Sequence, residues 1–143
     1  MNENRQNELV SAAINCAAKF NDPDGLGAAA LLLDDGSIIT SGSPPFMNAA
    51  VSVCYETGAI LSAWNEQKRV VASVCVMERD GDMIVLAPCG ICQEQLRLWG
   101  PDVQVAVTVG TVQWKFVTLG SLQPHWWGTV FEEHDVQQAG DRP

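Results

Sequence analysis

The stretch Pro88–Cys92 (PCGIC), together with the upstream Cys54–Glu56 (CYE), decides how the rest of the chain is interpreted. Two cysteines three positions apart, at the start of a predicted helix, place two sulfurs on one face of its first turn. A third cysteine lies at the start of a second predicted helix, and a glutamate follows that cysteine by two residues. Three cysteine ligands beside a non-ligand carboxylate are typical of a catalytic zinc site, in which one position is left for water.

The C-x-x-C pair alone also fits a structural zinc site or a redox-active cysteine pair. A structural zinc usually takes four protein ligands. The other two cysteines, Cys16 and Cys75, lie in apolar stretches, where a buried reduced thiol is expected. The two histidines, His125 and His134, are expected to be surface or packing residues. A redox pair leaves the CYE motif unexplained, so a catalytic zinc is the favoured interpretation.

The length and composition indicate one globular domain. A chain of 143 residues can bury a single core of useful size, and we expect one domain over residues 1–143 with a loose tail after about residue 135. No apolar run approaches the roughly 18 residues that span a membrane. The N-terminus lacks the basic and apolar regions of a signal peptide. We therefore expect a cytoplasmic protein without a membrane partner.

The charge is strongly acidic, since 8 basic residues stand against 17 acidic residues and give a net charge of −9. Proteins that bind nucleic acids need basic side chains to displace the counterions of the phosphates. The sequence contains no such cluster, which argues against editing of RNA or DNA polymers but not against binding of a small neutral nucleoside. The odd number of cysteines, five in all, favours a reducing compartment over a disulfide framework.

The hydrophobic pattern predicts the element order α-β-β-α-β-α-β-β. Helices are predicted over about 5–20, from 48 or 53 to 65, and 88–100, and strands over 26–33, 37–40, 70–77, 103–109 and 112–117, with a short extended run at 83–86. Turn-forming residues at 21–25, 34–36 and 78–82 separate these elements. This order describes a layered α/β domain, with one mixed sheet and helices on both of its faces.

These motifs resemble those of the cytidine deaminase family, in its small form that typically assembles as a homotetramer. The CYE motif resembles the family's Cys-Ala-Glu helix start, and residues 88–94 (PCGICQE) resemble its Pro-Cys-Gly-x-Cys-Arg-Gln run, a pattern typical of zinc nucleobase deaminases. Residues 26–31 (LGAAAL) are similar to its Val-Gly-Ala-Ala-Leu strand. Residues 122–127 (LQPHWW) are similar to its Leu-Leu-Pro-x-x-Phe segment, whose aromatic ring reaches a substrate pocket.

The resemblance implies a three-layer α/β/α domain with a mixed five-stranded sheet, zinc as cofactor and assembly as a homotetramer or homodimer. The implied reaction is hydrolytic deamination of cytidine, deoxycytidine or a related aminopyrimidine nucleoside, with release of ammonia. The implied metal ligands are Cys54, Cys89 and Cys92. The implied role of Glu56 is to carry protons between water, the ring nitrogen and the leaving amine.

The departures from the family concern the substrate. The family's Asn-x-Glu, which binds the ribose hydroxyls, corresponds to Ser43 and Pro45, and the family's alanine between cysteine and glutamate corresponds to Tyr55. A modified or bulky cytosine nucleoside such as blasticidin S, whose deaminase is a relative of the same size, is therefore an alternative substrate. The residues predicted to contact substrate are Tyr55, Ser43, Phe46, Trp127 and Pro88.

The surroundings of the metal also depart from the family pattern. Arginines that often offset the charge of the zinc thiolates correspond to Thr57 and Gln93, which leaves helix N-termini, together with Arg97, as candidates for that task. We expect a more electron-rich zinc as a result. An alternative of another class is a zinc-containing binding protein without catalysis, although Glu56 argues against it because a structural site needs no such carboxylate.

Overall fold

The computed structural model describes residues 1–20, 27–110 and 113–131. The turn predicted at 21–25, the first residue of two predicted strands (Leu26 and Val112), His134 and the predicted tail lie outside the described residues. Within the described ranges, no helix combines the length and the apolar character needed to cross a bilayer.

The described residues contain six strands and four α-helices. The helices are α1 (Glu3–Ala17), α2 (Thr57–Asn65), α3 (Gly90–Leu96) and α4 (Leu119–Leu122), with short 3-10 helices at Ala49–Val51 and Arg97–Trp99. The strands are β1 (Gly27–Leu33), β2 (Ile38–Ser41), β3 (Val70–Arg79), β4 (Asp82–Leu86), β5 (Gln104–Val109) and β6 (Gln113–Thr118).

The strands form one mixed sheet in the order β2-β1-β3-β5-β6, and β4 pairs with the second half of β3. The pairing of β3 with β5 is parallel, and the other pairings are antiparallel. Every residue of β1 is buried, as expected for a strand that has neighbours on both edges and helices on both faces.

Two hydrophobic cores lie on opposite faces of the sheet. On one face, α1 packs Leu9 and Ala13 against alternate residues of β1 such as Ala30 and Leu32. On the other face, the intervening residues of β1 pack against α2 and α3. The alternation follows from the two-residue period of a strand. The structure therefore has three layers, with α1 on one side of the sheet and α2 and α3 on the other.

The predicted α/β/α class is confirmed, and the differences are local. The five-strand path matches the predicted count, and the short run at 83–86 becomes a sixth strand because the turn at Asp80 and Gly81, both with positive φ, folds β4 back onto β3. The predicted second helix is divided, since a 3-10 helix ends at Val51 and α2 begins only at Thr57. The segment between the two contains Cys54 and Glu56.

Candidate metal centre and active site

The side chains of Cys54, Cys89 and Cys92 meet at one point on the α2/α3 side of the sheet. Their three sulfur atoms lie within 4.8 Å of one another, and the Sγ atoms of Cys54 and Cys89 are 3.2 Å apart. Cys92 is buried, Cys54 is half-buried and Cys89 is exposed. The grouping predicted from sequence spacing is therefore present, and its exposed side can admit a small molecule.

Each cysteine is positioned by the start of a helix. Cys54 precedes the turn that leads into α2, where its carbonyl accepts the N–H of Thr57 at 3.1 Å. Cys89 is the N-cap residue of α3, and its carbonyl accepts the N–H of Gln93 at 2.8 Å. Cys92 lies in the first turn of α3, as the spacing of the motif predicts.

The side chain of Gln93 fixes the loop that leads into α3. Its Nε2 donates to the carbonyl of Pro88 at 2.8 Å, so the buried Pro88 is held by a residue of the helix that it precedes. This position corresponds to one of the arginines that often offset the thiolate charge in the family. Here the side chain is neutral, and its role is to hold the loop.

The three thiols have different electrostatic surroundings. Burial raises the pKa of Cys92, and the neighbouring Glu56 carboxylate raises it further. Burial also raises the pKa of Cys54, and the hydrogen bond between its thiol and that of Cys89 raises it further. Burial acts in the same direction on Cys89, but hydrogen bonds from the Cys92 backbone, the two other thiols and the Ile91 backbone outweigh it, so the pKa of Cys89 is lowered. Cys89 is thus the thiol that loses its proton most readily.

Glu56 is a buried carboxylate beside the cysteine cluster. It occupies the N-cap position of α2, and only 3% of its surface is exposed. Burial raises the pKa of Glu56, while hydrogen bonds from its own backbone N–H and from the Cys92 thiol partly oppose that shift. A raised pKa brings a carboxyl group closer to the range in which it can both accept and donate a proton near neutral pH.

Three of the predicted substrate-contacting residues lie together. Ser43, Phe46 and Tyr55 line a cavity of about 530 Å³ between the segment after β2 and the segment that carries Cys54. Val53 and Tyr55, the neighbours of Cys54, both belong to its wall. The cavity therefore adjoins the backbone of the candidate metal centre.

The ring of Tyr55 rests on Gly27, the first residue of β1. A Cβ atom at Gly27 would lie 2.3 Å from Cζ of the ring. The ring fits here only because glycine has no side chain. No local sequence pattern indicates this contact, because the two residues are far apart along the chain. It explains how a bulky residue is accommodated where the family has alanine.

Trp127 and Trp126 lie against α3 and are absent from the residues that line the cavity at Tyr55. Their Nε1 atoms donate to the two carboxylate oxygens of Glu94, at 3.1 and 2.9 Å respectively. The guanidinium of Arg97 lies 4.2 Å from the centre of the Trp126 ring. Arg97 therefore stacks on an aromatic ring, and the substrate role of Trp127 stays a prediction.

The donor set fits a metal ion. Zinc–thiolate bonds of about 2.3 Å in tetrahedral geometry bring sulfur atoms to roughly 3.8 Å from one another, within the 4.8 Å that encloses the three sulfurs here. Three soft donors with one open side match a catalytic rather than a closed structural zinc site. The cluster of Cys54, Cys89 and Cys92 can therefore hold a metal ion.

Comparison with known proteins places this arrangement in a family. No model of a protein family matches the chain, and no curated protein does. Among solved structures, the cytidine deaminase from Bacillus anthracis is 38% identical, with a TM-score of 0.84 over 93% of this chain and 96% of that one.

Two further solved structures agree with this match. The cytidine deaminase from Mycobacterium leprae is 25% identical, with a TM-score of 0.71 over 84% of this chain and 98% of that one. The one from Burkholderia pseudomallei is also 25% identical, with a TM-score of 0.70 over 87% and 98%. With its three-layer fold and its cysteine cluster beside a buried glutamate, the chain belongs to the cytidine deaminase family, and it is an aminohydrolase of that family.

Proposed function

We propose that the protein catalyses the zinc-dependent hydrolytic deamination of cytidine, deoxycytidine or a related aminopyrimidine nucleoside. The observation that carries the proposal is the placement of the buried Glu56 carboxylate against Cys92, within a cluster of three cysteines. A structural zinc site has no need of a buried carboxylate, whose desolvation costs free energy. A carboxylate held beside three soft ligands suits proton transfer at the metal centre.

Cys54, Cys89 and Cys92 would hold zinc as thiolates. When bound, zinc supplies a hydroxide at neutral pH by lowering the pKa of a coordinated water to about 7. The lowered pKa of Cys89 favours its deprotonation first. Cys54 and Cys92 would also have to give up their protons to act as ligands, because only deprotonated cysteines bind the metal.

Glu56 would carry the protons of the reaction. Its carboxylate accepts the proton of the attacking water and delivers it to the ring nitrogen, and a second proton then passes through it to the amine that leaves as ammonia. Burial raises the pKa of Glu56 and so favours acceptance of the proton, and a pKa closer to neutral pH keeps the later release of that proton feasible. Atoms balance, since one water enters and one ammonia leaves while the ring amine becomes a carbonyl.

The substrate would bind in the cavity that Ser43, Phe46 and Tyr55 line. Phe46 offers an aromatic face for stacking on a base, and 43% of its surface is exposed. Ser43 and Pro45 stand where the family binds ribose with Asn and Glu, so sugar recognition differs. A bulkier cytosine nucleoside such as blasticidin S is the second candidate, because the loop at 43–47 carries two prolines and no carboxylate.

The assembly is proposed to be a homotetramer or homodimer. Leu61 and Trp64 on α2 and Leu98 after α3 each expose more than half of their surface, and they line a groove of about 510 Å³. A second copy of the chain would cover these side chains. The five cysteines are free, which supports a reducing compartment such as the cytoplasm.

The proposal is tested by ultraviolet assay of zinc-loaded protein with cytidine, deoxycytidine and blasticidin S, in parallel with Glu56→Gln. We expect turnover of at least one compound, and a loss of about 10²–10⁴-fold in kcat in the variant. The preferred compound identifies what replaces the family's ribose contacts. Zinc-loaded protein that converts none of these compounds would instead favour the non-catalytic zinc-binding alternative.

A further inference from the structure

Ser41, the last residue of β2, ties that strand to the segment that carries Glu56. Its hydroxyl donates to the carbonyl of Tyr55 at 2.5 Å and accepts the backbone N–H of Ala59 at 2.9 Å. One side chain therefore bonds to the residue before Glu56 and to the residue three positions after it. Both bonds are partly buried, so they are sheltered from competition with water.

The N-terminus of α2 receives no side-chain cap from its own N-cap residue. Glu56 is the N-cap residue, but its backbone is in the αR region and its side chain makes no capping hydrogen bond. The first N–H groups of a helix have no partner within the helix, and an N-cap side chain normally bonds one of them. The Ser41 hydroxyl serves this purpose for Ala59, which leaves the Glu56 carboxylate beside Cys92.

The close approach of β2 to α2 depends on Gly58. A Cβ atom at Gly58 would lie 3.0 Å from Cβ of Ser41, closer than ordinary van der Waals contact. A larger residue at this position would push the strand and the helix apart. Gly58 thus keeps Ser41 within hydrogen-bonding distance of both backbone groups.

We propose that Ser41 is a positioning residue that fixes the Glu56 carboxylate for proton transfer. The inference rests on the proposed function, because it assigns Glu56 the proton transfers. The two hydrogen bonds of Ser41 hold the backbone on both sides of Glu56, so their loss lets the carboxylate drift from its place beside Cys92. A small misplacement of a proton-transfer group slows turnover strongly. Because the bonds go to backbone groups of this segment, KM is affected less than kcat.

The test compares Ser41→Ala and Ser41→Thr with Ser37→Ala, which removes a hydroxyl just before the other end of β2, where it bonds Asp35. In Ser41→Ala, kcat should fall about tenfold while KM changes less than about twofold. Ser41→Thr keeps a hydroxyl and should stay within about threefold of the wild-type kcat. Ser37→Ala should keep the wild-type kcat. Zinc content should be equal in all four proteins.

Amide hydrogen exchange of Ala59 provides a readout independent of activity. We expect faster exchange in Ser41→Ala than in wild type, since the N–H loses its acceptor. Faster exchange with unchanged kcat would overturn the inference, as would a kcat loss that Ser41→Thr fails to recover. If Ser41→Ala does not fold, Ser41→Cys takes its place, and an unchanged kcat there likewise overturns it. Wild-type protein without turnover would contradict the proposed function. The amide exchange of Ala59 would still show whether Ser41 holds the backbone on both sides of Glu56.

Discussion

At the scale of single residues, Gly27 determines where the aromatic ring beside the candidate metal centre lies. The Tyr55 ring fills the space that a side chain at Gly27 would need, and the same ring lines the cavity with Ser43 and Phe46. The size of this cavity therefore depends on a residue in the first strand that does not itself line it. A change at Gly27 would therefore act on the cavity through the Tyr55 ring.

The variant Gly27→Ala should displace the Tyr55 ring, because its Cβ would lie 2.3 Å from Cζ of that ring. Overpacking of this kind costs about 1–3 kcal/mol of unfolding free energy. We expect KM for the preferred nucleoside to change more than kcat, with zinc content unchanged. Denaturant unfolding and steady-state kinetics measure the two effects.

The matched control for this prediction is Tyr55→Ala. Removal of the ring should make Gly27→Ala harmless, so the double variant should equal Tyr55→Ala alone in stability and in KM. Additive effects of the two substitutions would show that the ring does not mediate the change.

At the scale of elements, the β1–β2 hairpin is closed by a turn with its own hydrogen bonds and ion pair. Asp35 lies in this turn, where its Oδ1 accepts the hydroxyl of Ser37 at 2.6 Å and the N–H of Ser37 at 2.9 Å. Its Oδ2 lies 3.1 Å from Nζ of Lys68. These bonds, chiefly the one to the Ser37 hydroxyl, lower the pKa of Asp35 to about 2.

The variant Asp35→Asn should be less stable than wild type at neutral pH. A carboxyl whose pKa is lower in the folded than in the unfolded protein adds stability above its unfolded pKa, and this is lost as the pH falls through the folded pKa. The difference in unfolding free energy between the two proteins should therefore shrink from about pH 4 downward and be mostly lost at about pH 2. Denaturant unfolding at a series of pH values measures it.

The control is the same substitution in a Ser37→Ala background. The Ser37 hydroxyl is the largest cause of the low pKa of Asp35. In the Ser37→Ala background, Asp35→Asn should therefore lower the free energy of unfolding less than it does in wild type. A stability difference that stays constant between pH 7 and 3 would contradict the role given to this carboxylate.

At the scale of the whole molecule, the exposed apolar side chains of α2 predict self-association. Leu61 exposes 55% and Trp64 exposes 54% of its surface, on one side of a helix whose other side is buried. A charge placed there should be costly to bury between two copies of the chain. Leu61→Glu should therefore sediment as a smaller species than wild type.

The control for this experiment is Val71→Glu, which adds the same charge at an exposed position of β3 beside the start of α1. It should keep the wild-type sedimentation coefficient. Wild-type protein that sediments at the mass of one chain would contradict the prediction of an oligomer.

The parts that the sequence predicted are those with local patterns. Two sulfurs three residues apart in a helical turn, and a cysteine two residues before a glutamate, were enough to predict the cluster that the structure contains. The layers followed from hydrophobic periodicity. The predicted single domain, the tail and the substrate contacts stay predictions.

The parts that the sequence did not predict depend on contacts between distant residues. Ser41 and Ala59 are 18 residues apart, and neither carries a motif. The hydrogen bond between Trp126 and Glu94 spans 32 residues, and it holds the late aromatic segment against α3. Such contacts arise only when the sheet and its helices pack, so no local pattern reveals them.

The most direct measurement compares zinc content and turnover in Glu56→Gln and Cys92→Ser. Glu56→Gln should keep about one zinc per chain and lose turnover, since the carboxylate carries protons without binding the metal. Cys92→Ser should lose both, because Cys92 is one of the three sulfurs that form the site. Loss of zinc in Glu56→Gln, or retained turnover in zinc-loaded Glu56→Gln, would contradict the account.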